Sequence, residues 1–295
     1  MPNETIILAK NLNLKKMKYP CVASEKLDGV PAVFTGHQVG TMHIIDSRTR
    51  QGEPVHSTDH IKQWLWGKLD VGHSLVGELY IPGLAFKDIS GHVRKAKLNE
   101  NIALYVWDYV LPDEPNMSYQ QRMSALVESD IGNWIYDDSK GPVRIITGRH
   151  IGSEEELLSY CQDFSSKYPD KEGLIFRHLH GEDSTWNPGK RSWGFQRYKT
   201  EETVDLRLTG FFPAVDAKTG ESKKMAGRLV CDYKGKAIGV GPGALSHDER
   251  KAIYDSPSDF MQQIIEVAYK PDPSYDALRE ARFKRWRHDK TEPSY

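Results

Sequence analysis

Ser24-Glu25-Lys26-Leu27-Asp28-Gly29 is the stretch of sequence around which the rest of the chain can be placed. It follows an apolar run at residues 21–23, and a second apolar run starts at Val30. Apolar runs on both sides of an Asp-Gly turn predict two β-strands. The turn brings the Lys26 amine close to the Asp28 carboxylate, an arrangement suited to a nucleophilic lysine in a pocket.

Composition limits the classes of protein to which the chain can belong. Its 295 residues, 38% of them apolar, predict one large domain or two smaller ones with a real core. Because 40 basic residues face 41 acidic ones, any polyanion must be bound by a local patch. The three cysteines are too widely spaced for a disulfide framework or a zinc site. No apolar stretch is long enough to span a membrane, so we expect a cytoplasmic protein.

The first two hundred residues predict a mixed α and β domain. Capping boxes at Ser118 with Gln121 and at Ser153 with Glu156 predict helices over 119–129 and 154–167. A further helix is expected over 57–68. Strands are expected within 20–46, which reads as antiparallel β, and over 73–81, 101–111, 143–147, 173–178 and 193–199.

The character of the sequence changes after residue 202. Short β runs are broken by Gly, Pro and Lys, and one helix is expected over 246–254. The predicted strands cover 204–212, 225–233, 237–240, 264–269 and 283–287. Five strands and a helix in this length suit a small OB-fold barrel. We therefore predict an α+β protein whose domains span 1–202 and 203–295.

Charged residues recur where the predicted strands begin or end. Glu78 interrupts an apolar strand, and Glu172 precedes another, where its carboxylate suits a hard cation such as Mg²⁺. Arg197 and Lys199 lie two residues apart and so on one strand face, where they can hold a phosphate. Arg48 offers a guanidinium fork at the end of another strand. Taken singly, each residue is at least as compatible with a solvated turn or a charged strand edge as with a binding site.

Aromatic residues add two further candidates. Trp107 lies near the end of an apolar strand, where it suits either stacking on a purine or packing in the core. Residues 279–290 hold six basic residues against two acidic ones, with Phe283 and Trp286 between them. This mixture suits nucleic acid or a solvated tail.

The order of these segments resembles that of the ATP-dependent DNA ligases, in particular the compact two-domain kind found in bacteriophages and large viruses. These ligases belong to the covalent nucleotidyltransferase superfamily. Motif I of the family is similar to Lys26-Leu27-Asp28-Gly29, motif Ia to Ser47-Arg48, and motif III to Val76-Gly77-Glu78-Leu79. Motif IIIa is similar to Val106-Trp107-Asp108-Tyr109, and motif IV to Glu172-Gly173-Leu174-Ile175. Motif V is similar to Arg197-Tyr198-Lys199, and motif VI to Arg287-His288-Asp289-Lys290.

The resemblance implies a fold and an activity. The fold would be an adenylation domain of mixed antiparallel sheets with flanking helices, followed by an OB-fold barrel. The activity would be ATP-dependent sealing of nicks between a 5′-phosphate and a 3′-hydroxyl in duplex DNA, through lysyl-AMP and then adenylated DNA. The implied cofactors are ATP and Mg²⁺ or Mn²⁺, and the implied partner of the monomer is nicked DNA. Such an enzyme would act in DNA replication, repair or recombination, inside the host cell if the source is a phage or virus.

The resemblance also implies residue roles. Lys26 would attack the α-phosphate of ATP, and Arg197 and Lys199 would hold that phosphate. Glu172 and Glu78 would bind the metal, and Arg48 would contact the 5′-phosphate of the nick. Nucleotide-binding roles fall on Glu25, Asp28, Gly29, Arg48, Glu78 and Trp107. Leaving-group orientation falls on Arg287, Asp289 and Lys290.

The sequence departs from the family pattern at one position. Many relatives have arginine in K-x-D-G-x-R where this chain has Pro31. Three alternatives remain open: an RNA ligase, an mRNA-capping guanylyltransferase of the same superfamily, and a non-catalytic OB-fold nucleic-acid-binding protein. The NAD-dependent bacterial ligases do not fit, because the sequence has no cysteine-rich zinc module and no NAD-recognition segment ahead of Lys26.

Overall fold

The computed structural model describes residues 5–135, 141–270 and 278–295. The chain divides into two compact units, Met1–Lys199 and Thr200–Tyr295. This division falls three residues before the predicted domain boundary after residue 202.

The elements of the first unit alternate between strands and helices. In chain order they are β1 (Leu8–Asn11), β2 (Cys21–Glu25), β3 (Val30–Val39), β4 (Met42–Thr49), α1 (Asp59–Leu65), β5 (Ser74–Tyr80), α2 (Phe86–Arg94), β6 (Ala103–Val110), α3 (Tyr119–Glu128), α4 (Gly132–Ile135), β7 (Val143–Ile145), β8 (Gly148–Ile151), α5 (Glu154–Lys167), β9 (Gly173–His178) and β10 (Arg191–Lys199).

These strands form two sheets. The first has the order β1-β10-β9-β2-β8, and the second has the order β4-β3-β5-β6-β7. Pairing is antiparallel except between β1 and β10 and between β6 and β7. The expectation of mixed, mainly antiparallel sheets is therefore confirmed for this unit.

Helices cover one face of each sheet. Leu157, Cys161 and Phe164 of α5 pack on the first sheet. Ile61 of α1 and Ile89 of α2 belong to the core on the second sheet. Because side chains alternate along a strand, the opposite faces of the two sheets remain available to form a site.

Capping fixes the ends of the predicted helices. Ser118 and Gln121 make both bonds of a capping box at α3, and Ser153 accepts a hydrogen bond from Glu156 N at α5. The helix expected over 57–68 forms only over Asp59–Leu65, and Gly67 follows with a left-handed φ of 72°. The strands β1 and β8 and the helices α2 and α4 were not predicted.

The second unit contains β11 (Glu202–Val215), β12 (Ser222–Tyr233), β13 (Lys236–Val240), α6 (His247–Asp255), β14 (Ile264–Lys270) and β15 (Arg279–Trp286). They form an antiparallel sheet of order β13-β12-β11-β14-β15. Gly241 N donates to Ala281 O, and Phe283 N donates to Gly241 O, which links the two ends of this order. No ladder closes the sheet in the part of the unit that the structure describes, so the predicted barrel remains a prediction.

Two further features bear on the sequence predictions. The three cysteines are free and buried. Among the described residues, no helix is both long enough and apolar enough to cross a membrane.

Candidate active site

Lys26 follows the last residue of β2 and points at a carboxylate of a neighbouring strand segment. Its backbone N–H donates to Gly173 O at 2.9 Å. Its Nζ lies 2.6 Å from Oε2 of Glu172, whose side chain is only 5% exposed. The other oxygen of Glu172 lies 3.6 Å from Nζ of Lys199. The Glu172 carboxylate therefore lies between two lysine amines.

Glu78 joins this cluster from the second sheet. Gly29 lies against it, because a Cβ at Gly29 would be 2.4 Å from Leu79 O and 2.8 Å from Cγ of Glu78. The turn that follows Lys26 thus requires glycine for steric reasons. Gly29 N–H also donates a hydrogen bond to the Glu78 carboxylate.

Burial and neighbouring charges set the protonation of Glu78. Burial is the main cause that raises its pKa to about 8, and the negative charges of Glu172 and Asp28 raise it further. The Lys26 charge and the Gly29 N–H group act in the opposite direction. The lysine–carboxylate cluster, as we name Lys26, Asp28, Glu78, Glu172 and Lys199, therefore holds a carboxyl group that keeps its proton to a higher pH than an ordinary glutamate does.

Arg177 of β9 and Phe195 of β10 lie on the same sheet face and contact Trp107. The Arg177 guanidinium lies 4.5 Å from the ring centre of Trp107 and 4.0 Å from that of Phe195. Trp107 also lies against the ring of Trp186 at a centroid distance of 6.4 Å. Trp107 is therefore held by its neighbours in one orientation.

A buried ion network supports these rings. Asp108 is fully buried and accepts hydrogen bonds from Arg122 at 2.7 and 2.8 Å and from Arg177 at 3.3 Å. Burial lowers the pKa of Arg177, and the charge of Asp108 opposes that shift. Sequence reasoning missed both arginines, because they lie 14 and 69 positions from Asp108 and no local pattern connects them.

Glu25 lines a cavity of about 1030 Å³ next to the cluster. Its carboxylate is 2.5 Å from Nζ of Lys171, and Tyr105 lines the same cavity. The Tyr105 hydroxyl accepts a hydrogen bond from Arg144 at 2.7 Å. The cavity has the size and the mixed apolar and polar lining of a small-molecule site.

Two predicted phosphate ligands have other partners. Arg197 pairs across the sheet with Ile175, and its Nε donates to Asn11 at 2.9 Å. Arg48 donates to the Asp46 carboxylate at 2.7 Å and to Gly52 O at 3.1 Å. In the structure, both arginines are thus occupied by neighbours within the protein.

The predicted leaving-group residues cluster within the second unit. Arg287 and Lys290 both bond to the Asp205 carboxylate, at 2.8 and 2.5 Å. Arg287 also pairs with Asp289 at 2.8 Å. These contacts lower the pKa of Asp205 and hold the three predicted residues as one charged network. No motif or spacing in the sequence pointed to Asp205.

Comparison by sequence and comparison by structure gave different results for this chain. No family model and no curated protein matches the sequence. Solved structures do match over nearly the whole chain. A structure described as "Pmar-Lig_Pre." has a TM-score of 0.77 at 19% identity, over 98% of this chain and 68% of the other.

Two further structures are described in words as DNA ligases. One comes from a study of Lig E DNA ligases and has a TM-score of 0.69 at 20% identity, over 96% of this chain and 98% of the other. The other is the ATP-dependent DNA ligase of bacteriophage T7 in complex with ATP, with a TM-score of 0.56 at 14% identity, over 97% and 99% of the two chains. This chain has the fold of ATP-dependent DNA ligases. The resemblance predicted from the motif order is confirmed at the level of the fold.

Proposed function

We propose that this protein is an ATP-dependent DNA ligase that seals nicks through a lysyl-AMP intermediate and an adenylated DNA intermediate. The observation that carries the proposal is the 2.6 Å contact between Lys26 Nζ and Glu172 Oε2, beside Glu78 and Lys199. A lysine held by carboxylates and next to a second cation has the groups that phosphoryl transfer from a nucleotide needs.

In the first step, the Lys26 nitrogen would form a bond to the α-phosphorus of ATP while the bond to the pyrophosphate oxygen breaks. The amine must lose a proton, and Glu172 Oε2 is in place to accept it. Lys199 and Arg197 would stabilise the charge on the α-phosphate oxygens. AMP would then pass to the 5′-phosphate of the nick, and the 3′-hydroxyl would displace it.

The nucleoside would lie between the two sheets. Trp107 would stack on the base, since Arg177 and Phe195 already fix its ring. Glu25, Asp28 and Glu78 would contact the base or the ribose. The cavity beside Glu25 supports this placement because it lies next to the turn that carries Lys26.

The second unit would supply the residues that orient pyrophosphate. Arg287, Asp289 and Lys290 would do so, with Asp205 holding the two cations in position. We propose that residues 1–202 form the adenylation domain and that 203–295 form an OB-fold domain.

The donor set at the cluster fits Mg²⁺. This ion is usually bound by one or two carboxylates together with phosphate oxygens and water, and Glu172 and Glu78 are hard oxygen donors of that kind. Within the described residues, no group of three or more His, Cys, Asp or Glu side chains forms a complete metal site. When bound, the ion would withdraw charge from the phosphate oxygens.

A comparison of nucleotides and nicks tests this function. The protein is incubated with Mg²⁺ and labelled ATP, GTP or NAD, and covalent label is measured. It is then supplied with nicked DNA and nicked RNA duplexes. We expect label from ATP and sealing of DNA nicks. Label from GTP alone would indicate a capping enzyme, preferential sealing of RNA would indicate an RNA ligase, and no label at all would indicate a non-catalytic binding protein.

A further inference from the structure

A second, smaller cavity of about 400 Å³ lies beside the turn that follows Lys26. Its wall includes Gly29 and Pro31 on one side and the turn after β4 on another, and α2 completes it. Gly29 itself contacts Glu78. Gly29 therefore lies in the wall of the cavity and against Glu78 of the lysine–carboxylate cluster.

The side chains around this cavity give it a positive charge. Arg50, Arg94 and Lys95 line it, and Glu53 is the acidic residue among the lining side chains. Arg94 ends α2 and Lys95 is its C-cap, where the helix dipole stabilises cations. Arg50 comes from the turn after β4. Cations from two separate elements thus converge on one cavity.

Arg50 differs from its neighbour Arg48. Arg48 is bound to Asp46 and to Gly52 O. The Nε of Arg50 is buried and has no hydrogen-bond partner in the described part of the chain. A buried guanidinium nitrogen without an acceptor is costly, so an external acceptor at this position would stabilise it.

We propose that this cavity binds a phosphate group of the nicked DNA strand, through Arg50, Arg94 and Lys95. Guanidinium forks match the oxygens of a phosphate, and the position beside residues 29–31 brings such a phosphate close to the lysyl-AMP. Pro31 contributes neither a cation nor an N–H donor. The cations come instead from Arg50 and from the end of α2. This inference rests on the proposed function and names how that site would hold its DNA substrate.

The test uses the double variant Arg50→Gln/Arg94→Gln, with Lys87→Ala as the matched control. Lys87 also lies on α2, but it does not line the cavity. Three readouts are compared with those of the unmodified protein: covalent label from ATP, binding of nicked duplexes with a 5′-phosphate or a 5′-hydroxyl, and nick sealing.

We expect the double variant to be labelled by ATP to within about twofold of the unmodified protein. Its affinity for nicked DNA should fall about tenfold, and the slope of log K against log salt should become less negative by about 1. Loss confined to the 5′-phosphate nick would identify the terminal phosphate as the ligand. Equal loss for both nicks would identify an internucleotide phosphate.

Two results would overturn the phosphate site. One is DNA binding and sealing unchanged from the Lys87→Ala control, and the other is loss of ATP labelling with DNA binding intact. The proposed function fails separately, because it fails when the unmodified protein takes no label from ATP.

Discussion

At the scale of single residues, the least ordinary group is Glu78. Burial, together with the charges of Glu172 and Asp28, raises its pKa to about 8. An ordinary glutamate in the unfolded chain has a pKa of about 4.3. The folded protein therefore binds this proton more tightly than the unfolded chain does. As the pH rises between these two pKa values, Glu78 reduces the free energy of unfolding.

Glu78→Gln should remove that pH dependence. At about pH 8 the variant should be more stable than the unmodified protein by roughly 5 kcal/mol, because it buries no charge. Near pH 4 the two should be equally stable. Urea unfolding at both pH values measures the difference. The compared quantity is the free energy of unfolding of the variant minus that of the unmodified protein. A smaller value of this difference at pH 8 than at pH 4 would contradict this account of Glu78.

Asp108 should matter to stability rather than directly to chemistry. Asp108→Ala would leave two guanidiniums, Arg122 and Arg177, without their carboxylate in a buried place. We expect a loss of about 3–5 kcal/mol in the free energy of unfolding, measured by urea denaturation with the fluorescence of the adjacent tryptophans as the signal.

The control for Asp108 is Asp46→Ala. That carboxylate pairs with Arg48 at 2.7 Å, but the Arg48 side chain is 47% exposed. Its loss should cost less than about 1 kcal/mol. Equal effects of the two substitutions would refute the buried network as a major source of stability.

At the scale of elements, β15 contributes to the core of the second unit and leads into the residues proposed to orient pyrophosphate. Phe283 in this strand is 3% exposed within the core of the second unit, and Arg287 follows directly after the strand. Removal of 282–295 would therefore take away core and proposed catalytic residues together. Point substitutions separate the two roles.

Arg287→Ala and Lys290→Ala should each slow covalent labelling by ATP about 10- to 100-fold, since each removes a charged contact to the leaving group. Sealing of a nick that is already adenylated should change much less. The measurement compares single-turnover rates of the two steps. Equal loss in both steps would assign these residues a structural role.

Elements marked by neighbouring residues in the sequence could be predicted, whereas those defined by distant strand partners could not. Helices α3 and α5 carry capping residues within three positions of each other, so sequence alone was enough. Helix α2 was missed, although Phe86, Ile89 and Val93 have helical spacing, because its single buried stripe is short and contains Gly91. The strands β1 and β8 are four residues long and are defined by distant partners on β10 and β2.

At the scale of the whole molecule, the order of the motifs carried more information than any one of them. That order predicted the ligase fold, and it predicted Lys26, Glu78 and Glu172, which the structure places in one cluster. The partners Asp205, Arg122 and Arg177 were not predictable, because their contacts depend on how separate strands are arranged. The roles of the predicted residues in the cluster, like those of Trp107, Arg48 and Arg197, stay predictions.

The near-neutral charge of the chain leads to a prediction for DNA binding. With a net charge of −1, attraction to DNA must come from local groups of cations. The affinity for nicked duplex should therefore fall steeply with salt, with a slope of log K against log salt of about −3 or steeper. Fluorescence anisotropy at several salt concentrations measures it. A flat response would contradict binding through phosphate contacts.

The most direct test of the central claim is the transfer of label from α-labelled ATP to Lys26. The unmodified protein, Lys26→Ala and the exposed-lysine control Lys15→Ala are incubated with Mg²⁺ and labelled ATP, and then denatured. The account predicts a covalent AMP adduct in the unmodified protein and in Lys15→Ala, and none in Lys26→Ala. An adduct that persists in Lys26→Ala, or its absence from the unmodified protein, would contradict the assignment of Lys26 as the nucleophile.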